Sequence, residues 1–244
     1  MKKATLTLMT VLGVVTVSSP NAFAQASLPD CPPSGYFDMC IGSFVYDNGN
    51  KYVGAWKEGK GTGKGTYFFA NGDRYEGDFV KDDFSGKGTY FYADGDRYEG
   101  DYVKDERTGK GTYFFASGAR YEGDFVKGER TGKGTYFYAD GDRYEGDFVK
   151  GERTGKGIFF WADEDRTRYE GDFVKGERTG KGKRYIQNKI IYDGECNNGL
   201  AHGWGKFYED GDVYESQFLN GKPLQDILLS DGTTMVADGT SIPC

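Results

Sequence analysis

Along most of the chain, short runs of alternating character recur at a fixed interval. In YEGDFV (121–126) the residues Tyr121, Gly123 and Phe125 alternate with Glu122, Asp124 and Val126. This is the period of two expected of a β-strand with different chemistry on its two faces. In GTYFY (134–138) aromatic residues and Thr predict a second short strand. A Gly-rich, charged stretch, KGERTGKG, joins them, and the Asp-Gly of ADGDR marks the tight turn to the next unit. Each unit therefore predicts one β-hairpin. The five glycines of residues 121–143 would each cost a helix interior about 1 kcal/mol relative to Ala, which disfavours a helical solution.

Residues 121–143 agree with the preceding residues 98–120 at 18 of 23 positions. The first tyrosine of the unit recurs at Tyr52, Tyr75, Tyr98, Tyr121, Tyr144, Tyr169, Tyr192 and Tyr214. The one long interval, 25 residues, holds DEDRTR (163–168) where its neighbours have DGDR. A half unit, GSFVYDNGNKY from Gly42, precedes the array, and a degenerate one, ILLSDGTTM from Ile227, follows it. The expected fold is all-β, an antiparallel meander of eight tandem 23-residue hairpins. Its sixteen strands would extend roughly 75 Å at the usual strand spacing. On one face lie Tyr144, Gly146 and Phe148 with Gly134, Tyr136 and Tyr138. Glycine between aromatics leaves room for a ring to lie over the backbone, so this face is the expected core. Stacked hairpins share such a core, and stability should grow with repeat number.

The unit YEGDFVKGERTGKGTYFYADGDR resembles the MORN (membrane occupation and recognition nexus) repeat in its Tyr-acid-Gly-acid-aromatic start, its mid-unit GxG and its DG turn. The resemblance covers Gly42 to about Lys222. It implies an elongated, twisted antiparallel β-sheet with an aromatic-lined groove that serves as a scaffold or docking surface for other proteins; lipid head-group binding has also been proposed for the family. No catalytic motif comes with it. The chain departs from the family pattern in two places. Val80, Val103, Val126, Val149 and Val174 stand where Lys is usual, and Phe68, Phe91, Phe114, Phe137 and Phe160 stand where Thr is frequent. Both sets point to the back face by alternation. That stripe is expected either to pack across strands or to form a self-association surface.

The start of the chain changes the picture of where this array works. Lys2 and Lys3, the apolar run 4–17 and Ala22-Phe23-Ala24 have the layout of a secretory signal peptide over residues 1–24. This points to an exported, bacterial-type MORN repeat protein, periplasmic or secreted. LPDC before Cys31 does not look like a lipoprotein signal, so no lipid anchor is expected. Four cysteines, Cys31, Cys40, Cys196 and Cys244, suit an oxidising compartment. Sequence permits three connectivities. The short loop CPPSGYFDMC favours Cys31 with Cys40, leaving Cys196 with Cys244. These pairs divide the chain into an N-terminal disulfide cap (25–41), the array (42–222) and a C-terminal cap (223–244).

Charge and candidate chemistry narrow the function further. The net charge of −7, more negative once residues 1–24 with their two lysines are removed, argues against nucleic acid, whose backbone is held by clustered Lys and Arg. Within a unit, Lys150, Glu152, Arg153 and Lys156 predict a basic edge, and Asp140, Asp142 and Arg143 an acidic one. The acids of DGDRYEGD are of the calcium-ligand type but lack the spacing of a calcium loop, so no metal or cofactor is expected. His202, in AHGWG, is the only histidine and builds no catalytic set. The Glu/Asp pair of each strand recurs without a unique pocket, so no enzyme is expected. The expected function is a scaffold that binds a protein partner through its aromatic face. The candidate contacts are Tyr75, Phe79, Tyr98, Tyr102, Tyr121, Phe125, Tyr144 and Phe148, rigid rings of the kind that anchor interfaces. The alternative is an envelope module for polysaccharide or anionic phospholipid head groups.

Overall fold

The computed structural model describes residues 28–209, 211–225, 227–228, 234–235 and 241–244; the signal peptide expected over 1–24 and much of the C-terminal cap lie outside them. Seventeen strands form one sheet, each antiparallel to the next in sequence. They are β1 Cys40–Val45, β2 Lys51–Lys57, β3 Lys60–Phe68, β4 Arg74–Val80, β5 Asp83–Phe91, β6 Arg97–Val103, β7 Glu106–Phe114, β8 Arg120–Val126 and β9 Glu129–Phe137. The series continues with β10 Arg143–Val149, β11 Glu152–Phe160, β12 Arg168–Val174, β13 Glu177–Ile186, β14 Lys189–Asn197, β15 Leu200–Glu209, β16 Asp212–Leu219 and β17 Lys222–Pro223. The described residues contain no helix. The expected all-β antiparallel meander is what forms.

Two kinds of turn alternate along the ribbon. Pairing of Val126 with Glu129 leaves only Lys127 and Gly128 in the mid-unit turn, at φ of 50° and 80°. This is the left-handed pair of a type I′ turn, whose twist matches that of the strands. The linker expected over KGERTGKG is therefore two residues long, and Glu129–Gly134 belong to β9. The glycines that disguised this strand build a bulge. Gly123 faces Gly134 while Asp124 faces Thr131, Gly132 takes φ 60° in between, and Asp124 Oδ2 accepts the Lys133 backbone N–H at 3.2 Å. At the other edge Tyr138 N–H donates to Asp142 O at 2.9 Å, closing a short loop through Gly141.

The recurring tyrosine lies across the bulge glycines. A Cβ at Gly123 would lie 2.6 Å from Tyr121 Cζ and 2.7 Å from Gly134 Cα, so no larger residue fits beneath the ring. The Tyr121 hydroxyl donates to the Asp124 carbonyl at 3.1 Å. Burial pushes its pKa up to about 12. Its ring also meets Phe125 of its own unit edge-on at 5.3 Å and Phe148 of the next at 4.9 Å. Each such contact is worth about 0.5–1.5 kcal/mol beyond area burial and is shared between units. In the eighth unit Ser216 replaces the glycine, and Tyr214 is only half-buried.

Both ends are closed. Cys31 pairs with Cys40 and Cys196 with Cys244, at Cα–Cα distances of 4.9 and 6.0 Å. Phe37 packs edge-on against Trp56 at 5.2 Å. At the far end residues 241–244 fold back over the last units, where Ile242 N–H donates to Gly221 O at 2.8 Å and Cys244 N–H to Gly199 O at 3.0 Å.

The back face differs from the sequence reading. Val103 faces Glu106 beside the type I′ turn, whereas Phe114 faces Arg97 at the opposite end of the same strand pair. Val and Phe thus form two separate rows, with Glu, Thr, Asp and Lys between them, and the expected cross-strand Val/Phe packing is not formed. Four of the Phe row are covered by arginine, as where Arg97 Cζ lies 4.1 Å from the Phe114 ring centroid and its Nε pairs with Glu99 at 3.2 Å, while Phe68 stays 38% exposed. The five valines remain 53–57% exposed.

Candidate functional site

The aromatic face has two storeys. The eight rings expected to contact a partner form the lower one: Tyr75, Tyr98, Tyr121 and Tyr144 are 0% exposed, and Phe79, Tyr102, Phe125 and Phe148 are 2–3% exposed. They are core, because each tyrosine is pinned over its own glycines and each Phe or Tyr102 is wedged between successive tyrosines. A partner cannot reach them directly. The accessible rings come from the second strand of each unit and the loop that follows it. They run in one file from Tyr46 and Tyr67 through Phe69, Tyr90, Tyr92, Tyr113, Phe115, Tyr136, Tyr138 and Phe159 to Trp161, with neighbouring centroids 4.5–5.9 Å apart.

Loop carboxylates fasten this file from one unit to the next. Asp73 accepts the Tyr90 hydroxyl and the Ala93 N–H, both at 2.8 Å. Asp96 accepts Tyr113 at 2.6 Å and Ala116 N–H at 2.8 Å. Burial alone would raise the Asp73 pKa, but these hydrogen bonds outweigh it and hold the carboxyl below its ordinary value. Asn50 takes the equivalent place, its Oδ1 accepting the Ala70 N–H and its Nδ2 donating to the Tyr67 hydroxyl, both at 2.9 Å. At Ala119 the acid is absent and the ladder misses a rung. The acids of the DG turns are thus largely consumed in the sheet. Among the described residues no group of three His, Cys, Asp or Glu side chains is placed to hold a metal.

Between the two storeys runs a column of arginines that sequence reasoning assigned to a basic edge. Arg107 lies 5.5 Å from the Tyr98 centroid and 5.4 Å from that of Tyr113. It donates to the Tyr92 hydroxyl at 3.1 Å and to the Gly128 carbonyl of the next turn at 2.9 Å. Arg153 stands over Tyr144 and Phe159 and donates to Gly176 O at 2.6 Å. Arg130 and Arg178 occupy the equivalent places. Of the other two cations of that stretch, Lys156 is neutralised by Asp172 at 2.6 Å on the back face. The basic edge shrinks to Lys127, Lys150 and their equivalents at the turn tips.

The column is incomplete at the N-terminal end. Its first two positions are Gly61 and Phe84, where later units have Arg. Phe84 fills its own place by stacking on Tyr75 at 3.8 Å. Gly61 and Tyr52 are buried, and beside them, toward the N-terminal cap, the groove holds a cavity of about 880 Å³. Tyr46, Trp56, Tyr67 and Phe69 line it, and Glu58, Asp82 and Asp105 stand at its rim with Lys60. Asp82 Oδ1 accepts the Gly61 N–H at 2.7 Å. The sequence carried this signal: KGTGKG and DFSGKG lack, at their second position, the arginine that ERTGKG supplies to the column in later units.

A family model for the MORN repeat matches residues 52–74, 75–97, 98–120, 121–143, 144–166, 169–189 and 192–213. The chain belongs to the MORN repeat family. Its matched repeats number seven; the eighth unit, from Tyr214, is the one without the glycine under its ring. No curated protein matches. Among solved structures, this MORN array is similar to the TCP10c domain of Drosophila melanogaster Sas-4, at 15% identity and a TM-score of 0.37, covering 61% of this chain and 89% of that one. It is also similar to the TCP10 domain of Danio rerio CPAP, at 12% identity and a TM-score of 0.22, covering 72% and 99%. MORN arrays are repeat scaffolds that engage proteins or membranes, and such all-β repeat folds are typically non-enzymatic.

Proposed function

We propose that this protein is an exported, non-enzymatic MORN scaffold that docks a partner protein on the upper file of rings. The observation that carries the reading is the file itself. Its rings are partly exposed, regularly spaced and held in place by hydrogen bonds from neighbouring units, so little side-chain entropy remains to be lost on binding. Aromatic side chains so presented are the usual anchors of protein interfaces. Export is supported by the signal-like N-terminal sequence and by the two disulfides, which suit an oxidising compartment.

The alternative, an envelope module for polysaccharide or anionic phospholipid, draws on the exposed lysines at the turn tips. Each is followed within two residues by an acid, and most other lysines are paired, which favours the protein partner. The exposed Val row offers a second surface, for self-association. Binding of the mature protein to immobilised envelope proteins, isolated envelope glycans and anionic vesicles separates these classes. The reading requires protein binding that is lost when Tyr113 and Tyr136 are replaced by Ser. Retention on glycan or vesicles, insensitive to those changes, would replace it.

A further inference from the structure

The cavity of about 880 Å³ lies where the N-terminal disulfide cap meets the first two units. Tyr36 and Phe37 of the cap line it together with Tyr46, Trp56, Tyr67 and Phe69, whereas the buried Gly61 and Tyr52 do not. Its size and its mostly aromatic walls are those of a small-molecule site. The walls are also fixed in advance. Trp56 Nε1 donates to Gly42 O at 3.1 Å, Phe37 meets the Trp56 ring edge-on at 5.2 Å, and Asn50 holds the Tyr67 hydroxyl at 2.9 Å. Cap and first turn are tied together, since Gly59 N–H donates to Phe37 O and Glu58 N–H to Asp38 Oδ1, both at 2.8 Å.

Charge sets this end of the groove apart from the rest. In later units Arg107, Arg130, Arg153 and Arg178 stand against the upper rings. Gly61 and Phe84 hold those positions here, and Asp82 and Asp105 replace the glycines of the later turns. Each of these carboxylates spends only one oxygen on the backbone: Asp82 Oδ1 accepts Gly61 N–H and Asp105 Oδ1 accepts Phe84 N–H, both at 2.7 Å. Glu58 brings a third acid to the cavity, and Lys60, 4.0 Å from Asp82, offsets one of the three, so the lining is net negative. The field of the rim reaches the ring wall: burial raises the Tyr46 pKa, and the Asp82 charge raises it further.

We infer that this cavity binds a small quaternary ammonium compound, its charged head against the rings below Asp82 and Asp105 and its apolar body along the aromatic wall. Ring faces attract a cation, and the three acids supply its countercharge. A primary ammonium or a guanidinium would bring several N–H donors that need acceptors, and walls made of rings offer few. An alkylated ammonium brings none. The site lies apart from Tyr113 and Tyr136, so this inference goes beyond the docking reading and does not rest on it.

The test is titration of ¹⁵N-labelled mature protein with 3-(trimethylammonio)phenol and with 3-tert-butylphenol, which has the same shape without the charge. Binding is read at the Trp56 indole resonance, assigned with Trp161→Phe and Trp204→Phe variants. The cation should give a saturable shift at about millimolar concentration or below, and the neutral isostere should bind about tenfold more weakly or worse. Asp82→Asn with Asp105→Asn keeps the oxygens that accept the Gly61 and Phe84 N–H groups. It should weaken the cation about tenfold, leave the isostere unchanged and leave the circular dichroism unchanged. Tyr36→Ser, at a ring 68% exposed on the cap, removes part of the wall and should weaken both compounds. Equal binding of cation and isostere, a preference for the cation that survives in the doubly neutral variant, a shift at Trp161 or Trp204 with Trp56 unmoved, or no saturable shift would each overturn the inference.

Discussion

The missing rung at Ala119 offers a change that should stabilise the protein. Asp73, Asp96 and Asp142 each accept the backbone N–H of the residue 20 positions on, at 2.8 Å, and Asp73 and Asp96 also accept a tyrosine hydroxyl 17 positions on. The equivalents for position 119 are Ala139 N–H and the Tyr136 hydroxyl. Ala119→Asp should therefore gain two hydrogen bonds to an ionised acceptor. Each is worth about 1.5–3 kcal/mol when well sheltered. Ala119 is buried at 7%, but the equivalent Asp73, Asp96 and Asp142 are partly exposed; that exposure and the cost of ordering the side chain reduce the expected total to about 1–2 kcal/mol. For a protein of this size that corresponds to a rise in Tm of roughly 2–8 °C.

The gain should also depend on pH. A carboxyl held below its unfolded value contributes stability that is present above that value, 3.8 for Asp73, and is lost as pH falls through the lower folded one. Thermal melts of Ala119→Asp and wild type should therefore diverge at neutral pH and converge in acid below 3.8. Ala119→Asn, which copies the arrangement at Asn50, should recover part of the gain without this pH dependence. An Asp variant no more stable than wild type, or a gain that persists unchanged in acid, would refute the ladder.

Three further outcomes follow from the core and its ends. Gly134→Ala places a methyl group against the Tyr121 ring and should cost about 1–3 kcal/mol or more, read as a lower urea midpoint; an unchanged midpoint would mean the ring can move aside. Cys244→Ser opens a bridge of sequence separation 48 and should cost about 4 kcal/mol by chain entropy, with faster amide exchange concentrated in β14–β16; uniform loss along the array would contradict a local cap. On the alkaline side, the Tyr121 pKa is raised from 10.0 to about 12, so its stabilisation is intact below pH 10 and is lost as pH rises from 10 towards 12. Phenolate absorbance of the core tyrosines should therefore appear together with loss of the sheet signal, and ionisation near 10 in an intact sheet would refute their burial.

Much of this fold is legible in the chain because the same constraint is written repeatedly. A tyrosine two residues before a glycine and a GxG in the facing strand specify hairpin, register and core together, and the cysteines mark the two caps. What is not legible depends on distance along a strand rather than on face. Alternation puts Val103 and Phe114 on the same side but cannot say that one lies beside the turn and the other at the far end. It likewise marks Tyr98 as inward without showing that its ring is sealed under an upper storey. Arg107 reads as solvated charge, because its partner, the Gly128 carbonyl, comes near only when successive turns stack. KGERTGKG reads as a loop because a glycine at positive φ within a strand is a bulge only when the facing strand supplies a carboxylate such as Asp124.

The central claim, that the upper file of rings is the docking surface, is tested most directly by site-specific photocrosslinking in intact cells. A benzophenone amino acid is placed in turn at Tyr67, Tyr113 and Tyr136 on the ring face, and at Val103 and Val126 on the back face. The account predicts discrete adducts to another protein from the ring-face positions and, from the valines, no adduct other than to a second copy of the chain. Adducts confined to Val103 and Val126, or ring-face adducts to lipid or glycan alone, would contradict it.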